Sequence, residues 1–198
     1  MTVLDQYLIR DIEVGECIGK SFDFSFYRIK NDSNKGIKLA NIKYKNLAIL
    51  EQIFKKEKRF QEKLLHLNIS TPNVFEIVKI RHPSLDIDTL GLIVEIIDDS
   101  KIFKISFDGI NYGNKKFLIE EISLCYVPHI NFIDSKSEIE LDTSFILKVK
   151  NCVLANLNVL IENDSFSKEY FKTDLDVQGL YVESKNEFYL FDFEDWRE

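Results

Sequence analysis

Five side chains in this sequence have the types and the order that phosphoryl transfer needs. Lys38 lies inside the apolar run "GIKLAN", and Glu62 follows in "FQEKLLHLN". Asp174 and Asp176 stand in "TDLDV", and Asp192 in "FYLFDFED". The reaction asks a protein for few parts. A lysine steadies the nucleotide phosphates and a glutamate holds that lysine. One carboxylate orients the acceptor hydroxyl and another binds the metal. An aspartate inside "FYLFDF" must be exposed, paired or metal-bound, because burying a bare charge is costly.

Each residue also has a plainer reading. Asp174 and Asp176 suit a turn, where aspartate accepts local backbone hydrogen bonds. Asp192, Glu194 and Asp195 suit a solvated acidic end. Lys38 suits an edge strand that a charge protects from aggregation. Glu62 suits a wet helix face with a lysine one turn away. Lys43, at the end of the same strand, is the alternative lysine.

The elements that position these residues follow from periodicity. "SFDFSFYRIK" puts Phe22, Phe24 and Phe26 on one face of a strand. "NDSNKG" (31–36) reads as a turn, and "IKLANI" (37–42) as the strand that carries Lys38. Residues 45–67 read as a helix with a stripe of Leu47, Leu50, Ile53, Phe54, Phe60, Leu64 and Leu67, and with "KKEK" (55–58) on its wet side. "STPN" (70–73) breaks it. "VFEIVKIRH" and "TLGLIVEII" are strands, and the second is apolar enough to be central. Turn signals between residues 98 and 127 imply a hairpin or two. A second helix is expected from Thr143 to Glu162, capped by Asp142 or Thr143 and striped by Ile146, Val149, Val153, Leu157 and Leu160. A strand at "GLYV", a turn at "ESKNE" and a strand at "FYLF" follow Asp174.

No βα alternation, GxGxxG or GxxxxGK[ST] occurs, so a Rossmann sheet and a P-loop are excluded. The order implies a two-lobed α+β fold, with residues 1–97 as a mixed or antiparallel sheet plus one helix and 98–198 as a reduced second half. The chain's 198 residues suit one medium domain or two small lobes. Its net charge of −7 disfavours nucleic acid. Cys17, Cys125 and Cys152 lack CxxC spacing, which argues against a disulfide framework or zinc ribbon. His66, His82 and His129 are isolated from one another and read as structural or exposed. No run approaches the ~18 apolar residues of a membrane span, and the acidic start lacks a signal-peptide core. A cytoplasmic protein with at most peripheral membrane contact is expected.

In order from about Gly15 to Asp195, the chain resembles the protein-kinase-like superfamily, most of all small bacterial sugar kinases such as the lipopolysaccharide core heptose kinases. "QEKLLHLNISTPNVFEIV" looks like the family's helix glutamate, its turn and its next strand. "LGLIVEII" looks like the strand entering the hinge, "TDLDVQGLYV" like the catalytic loop, and "FYLFDFED" like the DFG segment. The resemblance implies that Lys38 holds the ATP phosphates and Glu62 holds Lys38. It also implies that Gly19 belongs to a weak glycine-rich segment ("VGECIGKS") and that Glu95, Ile96 and Ile97 offer backbone groups to adenine. Asp174 is then the catalytic aspartate, and Asp192 binds magnesium with help from Asp176 or Gln178.

Three departures stand out. Lys172-Thr173 precedes Asp174, Gly179 occupies the place of a metal-binding Asn, and Glu194 that of the DFG glycine. A shortened C-lobe is expected to leave no dock for a peptide, though a protein partner could complete it. The implied activity is ATP- and magnesium-dependent phosphorylation of a sugar, in lipopolysaccharide core or surface-glycan synthesis. The departures equally suit a pseudokinase that binds a partner or nucleotide without transfer. A third reading has no kinase ancestry and is a structural or interaction protein whose two aspartates lie far apart.

Overall fold

Apolar residues two apart build an antiparallel meander from the first third of the chain: β1 (Val14–Lys20), β2 (Phe24–Ile29) and β3 (Asp32–Ala40). The computed structural model describes residues 3–7, 10–21, 23–41, 46–98, 100–107, 118–127, 142–163 and 177–191. They form an α+β fold with two antiparallel sheets. The chain divides into two compact units. The first holds the described residues of Met1–Gln61 and Pro72–Ile97, and the second those of Glu62–Thr71, Asp98–Pro128 and Lys136–Glu198.

In the first unit, α1 (Leu47–His66, of which residues 47–61 belong to this unit) follows the meander, and β4 (Val74–Arg81) and β5 (Asp88–Glu95) then return as a hairpin. The strand order is β1-β2-β3-β5-β4, so the apolar β5 is internal. The six-residue turn expected at 31–36 is corrected. Asp32 already pairs with Ile29, and Gly36 with Arg28. Ser33, Asn34 and Lys35 lie between these two pairs at a register shift in the ladder, and Lys35 pairs instead with Glu95 of β5. Phe24 and Phe26 share a face as expected; Phe22 lies outside the described residues.

Two apolar clusters flank this sheet. Phe24, Ala40, Val74, Leu90 and Leu92 meet Leu50 and Phe54 of α1 on one side. Ile37, Leu39, Val78, Ile80 and Ile93 form the other side. Asn46 opens α1 by accepting the Ala48 amide on its side chain (3.0 Å). The helix ends before "STPN". Asn68 takes a left-handed φ of 58°, the Asn68 amide donates to Leu65 O and the Ile69 amide to Leu64 O, both at 3.0 Å. These two bonds satisfy last-turn carbonyls, and burial of Leu64 and Ile69 seals the end.

The second unit carries a sheet of order β7-β6-β8-β9. Its strands are β6 (Ser100–Phe107), β7 (Ile122–Val127), β8 (Val177–Val182) and β9 (Glu187–Phe191). Helix α2 (Thr143–Glu162) has its first turn capped by Asp142, whose carboxylate accepts the Phe145 amide at 3.3 Å. Val149, Val153, Leu157 and Leu160 are fully buried, and α2 packs on β7 and β9. Asn156 of α2 donates to Phe188 O (2.8 Å), and the Leu190 amide donates to Ser70 O (3.0 Å). These bonds occupy the outer edge of β9, which would otherwise invite pairing. Among the described residues no helix is long and apolar enough to cross a membrane.

Candidate functional site

Lys38 lies mid-strand in β3, paired with Phe26 of β2 and Leu92 of β5. Its strand is therefore internal, and the edge-strand reading is corrected. Alternation puts Lys38 on the same face as Ala40, towards α1. Its ammonium sits 3.0 Å from Glu57 Oε2 and 4.8 Å from the centroid of the Phe24 ring. The two paired side chains are only 13% and 8% exposed. A cation is thus held between a ring face and a carboxylate, away from most solvent.

Glu57 corrects a second expectation. It lies in "KKEK", read above as the wet side of the helix, and yet it is buried. The inward stripe of α1 runs Leu50, Phe54, Glu57, Gln61 and Leu64, with steps of four and three. The four-and-three period points to position 57, but the charge of Glu57 and its basic neighbours hid that signal. Glu62 is exposed and lies five residues further on, about 140° around the helix from Glu57. The carboxylate on Lys38 is that of Glu57.

Gly19 lies in β1 opposite Phe26, which in turn lies opposite Lys38. The register so brings Gly19, Phe26 and Lys38 into one row across three strands. The β1–β2 turn itself is built from serine and asparagine contacts, not glycine. The Phe24 amide donates to Ser21 Oγ (3.1 Å), and Asn41 Nδ2 donates to Ser21 O (2.8 Å).

At the far end of β5 the Glu95 amide donates to Asn73 O (2.8 Å), and the Ile96 amide to Asn34 O (2.9 Å). The Glu95 carboxylate accepts both the amide and the Nδ2 of Asn73, at 2.9 and 2.7 Å. These two backbone donors, expected to face an adenine, are used within the chain. Ile97 is half-buried.

In the second unit Gln178 lies on β8, opposite Lys104 and Phe191. Gly179 lies between Phe103 and Leu190, under the ring of Phe188. A Cβ at position 179 would come 1.9 Å from Phe188 Cε1, so no side chain fits. Asp174, Asp176 and Asp192 lie outside the described residues. Among the described residues no three His, Cys, Asp or Glu side chains gather as a metal site.

A second polar contact anchors α1. Tyr7 donates from its hydroxyl to Glu51 Oε1 (2.6 Å), and Lys55 Nζ lies 2.6 Å from the same oxygen. Burial and the Glu51 carboxylate raise the Tyr7 pKa, keeping the phenol protonated. Hydrogen bonds from Lys55 and Tyr7 lower that of Glu51. No protein-family model matches the chain, and no curated protein matches it.

Proposed function

We propose that this chain is a two-lobed, kinase-like protein that binds a nucleoside triphosphate through Lys38 and transfers its terminal phosphoryl group to a sugar. The observation that carries the reading is the buried Lys38–Glu57 pair. Kinases hold the nucleotide phosphates with a lysine from the third strand and a glutamate from the following helix. The antiparallel sheet with one helix between its third and fourth strands supports the same reading. A buried ion pair stabilises a fold poorly compared with apolar side chains of equal volume. A lysine retained there is best explained by a need for its charge.

In this reading Glu57 takes the role expected of Glu62. Asp174 orients the acceptor hydroxyl, and Asp192 with Asp176 or Gln178 would hold magnesium, which neutralises charge on the phosphates when bound. The sugar acceptor, of lipopolysaccharide core or surface-glycan type, rests on the resemblance to heptose kinases, as does a cytoplasmic location. Gly179 specifically favours a second reading, nucleotide binding without transfer. Its packing under Phe188 leaves no side-chain oxygen at the position of the second metal ligand.

The test is incubation with magnesium and γ-phosphate-labelled ATP over a panel of heptoses and hexoses. Transfer of label by the wild type, lost in Asp174→Ala and Lys38→Met, supports the enzyme reading. ATP binding with no labelled sugar supports the second. Absence of both binding and transfer removes both.

A further inference from the structure

The N-terminal 3-10 turn, Val3–Gln6, has no role in that site, yet its apolar residues pack on the cluster that includes α1. Val3, Leu4 and Tyr7 pack on the cluster that contains Leu50 and Phe54. The Tyr7 hydroxyl reaches across 44 positions to Glu51, at 2.6 Å. Glu51 is itself buried, and its accepting oxygen is shared with Lys55.

Glu51 and Glu57 are six residues apart, which is about 9 Å along the helix and about 120° around it. The helix is thus held at two azimuths. Its apolar stripe and Glu57 face the sheet, and Glu51 faces the N-terminal segment. Contacts along one stripe hold the helix from one side only. A second anchor well away in angle removes the roll. Rolling α1 by even a fraction of a residue step would swing Glu57 off Lys38, because the ammonium–carboxylate contact has little slack at 3.0 Å.

We propose that Tyr7 is a positioning residue: residues 3–7 act as a strap that sets the roll of α1 and so keeps Glu57 on Lys38. The consequence for phosphate binding rests on the function proposed above, whereas the consequence for the pair does not.

The experiment measures the acylation rate of each lysine with an amine-reactive acetyl ester, read by mass spectrometry on the full chain. Lys38 should react slowly in the wild type. Tyr7→Phe removes only the hydroxyl, and should speed Lys38 roughly tenfold, the worth of one hydrogen bond to a charged acceptor. Glu51→Gln keeps an acceptor for Tyr7 but not its charge, and should speed Lys38 by less than Tyr7→Phe does. Ile80→Val, in the cluster on the other face of the sheet, serves as a control for general loosening and should leave Lys38 slow. An unchanged Lys38 rate in Tyr7→Phe overturns the strap. An equal rise in Ile80→Val overturns it too. Tripolyphosphate titrations of the same proteins separate the two claims. A faster Lys38 with no tripolyphosphate binding even in the wild type keeps the strap and removes the nucleotide reading.

Discussion

Lys38 is an internal-strand lysine whose ammonium meets the Glu57 carboxylate and the face of the Phe24 ring. Removing a single partner of a buried pair costs about 3–5 kcal/mol, whereas removing both can be near neutral. Glu57→Leu is therefore expected to lower stability by about 3 kcal/mol in urea unfolding. Lys38→Met/Glu57→Leu should recover most of that loss, and exposed Glu62→Gln should change stability by less than about 0.5 kcal/mol. A Glu57→Leu protein as stable as wild type would falsify the pairing. The lysine was legible in the sequence because a charge in an apolar run stands out. Its partner was not, because Glu57 sits among three lysines whose company implies solvent. Tyr7 and Glu51 gave no signal, since a contact over 44 positions follows from the fold alone.

Helix α2 and the hairpin β8–β9 lie close to where periodicity and turn residues put them, because each is specified by local chemistry. The start of β3 differs from the expected turn, whereas α1 ends at His66, one residue from the expected 67. Residues 32–36 of the expected turn join β3, where Asp32 and Gly36 pair with β2 and Lys35 and Gly36 with β5, and Asn68 closes the helix before "STPN" with a left-handed backbone. The strand order β1-β2-β3-β5-β4 was legible only in part. Local signals choose which segments are strands, and long-range pairing chooses their neighbours.

One turn makes a pH prediction at this scale. His82, buried between β4 and β5, accepts the Ser84 and Leu85 amides at Nδ1 (3.1 Å each), so Nε2 carries the proton that meets Ala40 O at 3.1 Å. Burial, partly offset by that carbonyl, holds its pKa below the usual 6.5. The unfolded chain then takes up a proton at higher pH than the folded one. The neutral-ring contribution is complete above about pH 6.5 and is lost as the pH falls towards the lower folded value, by at most about 1.4 kcal/mol per pH unit. His82→Asn can still accept the two amides. It should flatten this part of the profile of unfolding midpoint between pH 7 and 5, and an unaltered slope in the variant would assign the acid sensitivity to other groups.

At the scale of the whole molecule, the two units carry different parts of the account. The first unit holds the paired lysine, and the second holds the strand on which Gly179 is packed shut. The division at residue 97 was read from strand and helix content, and the net charge of −7 disfavours nucleic acid. The acceptor was not legible, because a sugar acceptor has no residue signature in this sequence.

The most direct test of the central claim, that Lys38 holds nucleotide phosphates, is thermal unfolding with and without magnesium-ATP for the wild type, Lys38→Met and Asp192→Asn. A ligand at ~100 times its dissociation constant adds about 2.7 kcal/mol, which for a chain of this size moves the midpoint by several degrees. The account predicts that shift in the wild type, its loss in Lys38→Met, and its dependence on magnesium and Asp192. A wild-type midpoint unmoved by millimolar magnesium-ATP, or moved equally in Lys38→Met, would contradict it.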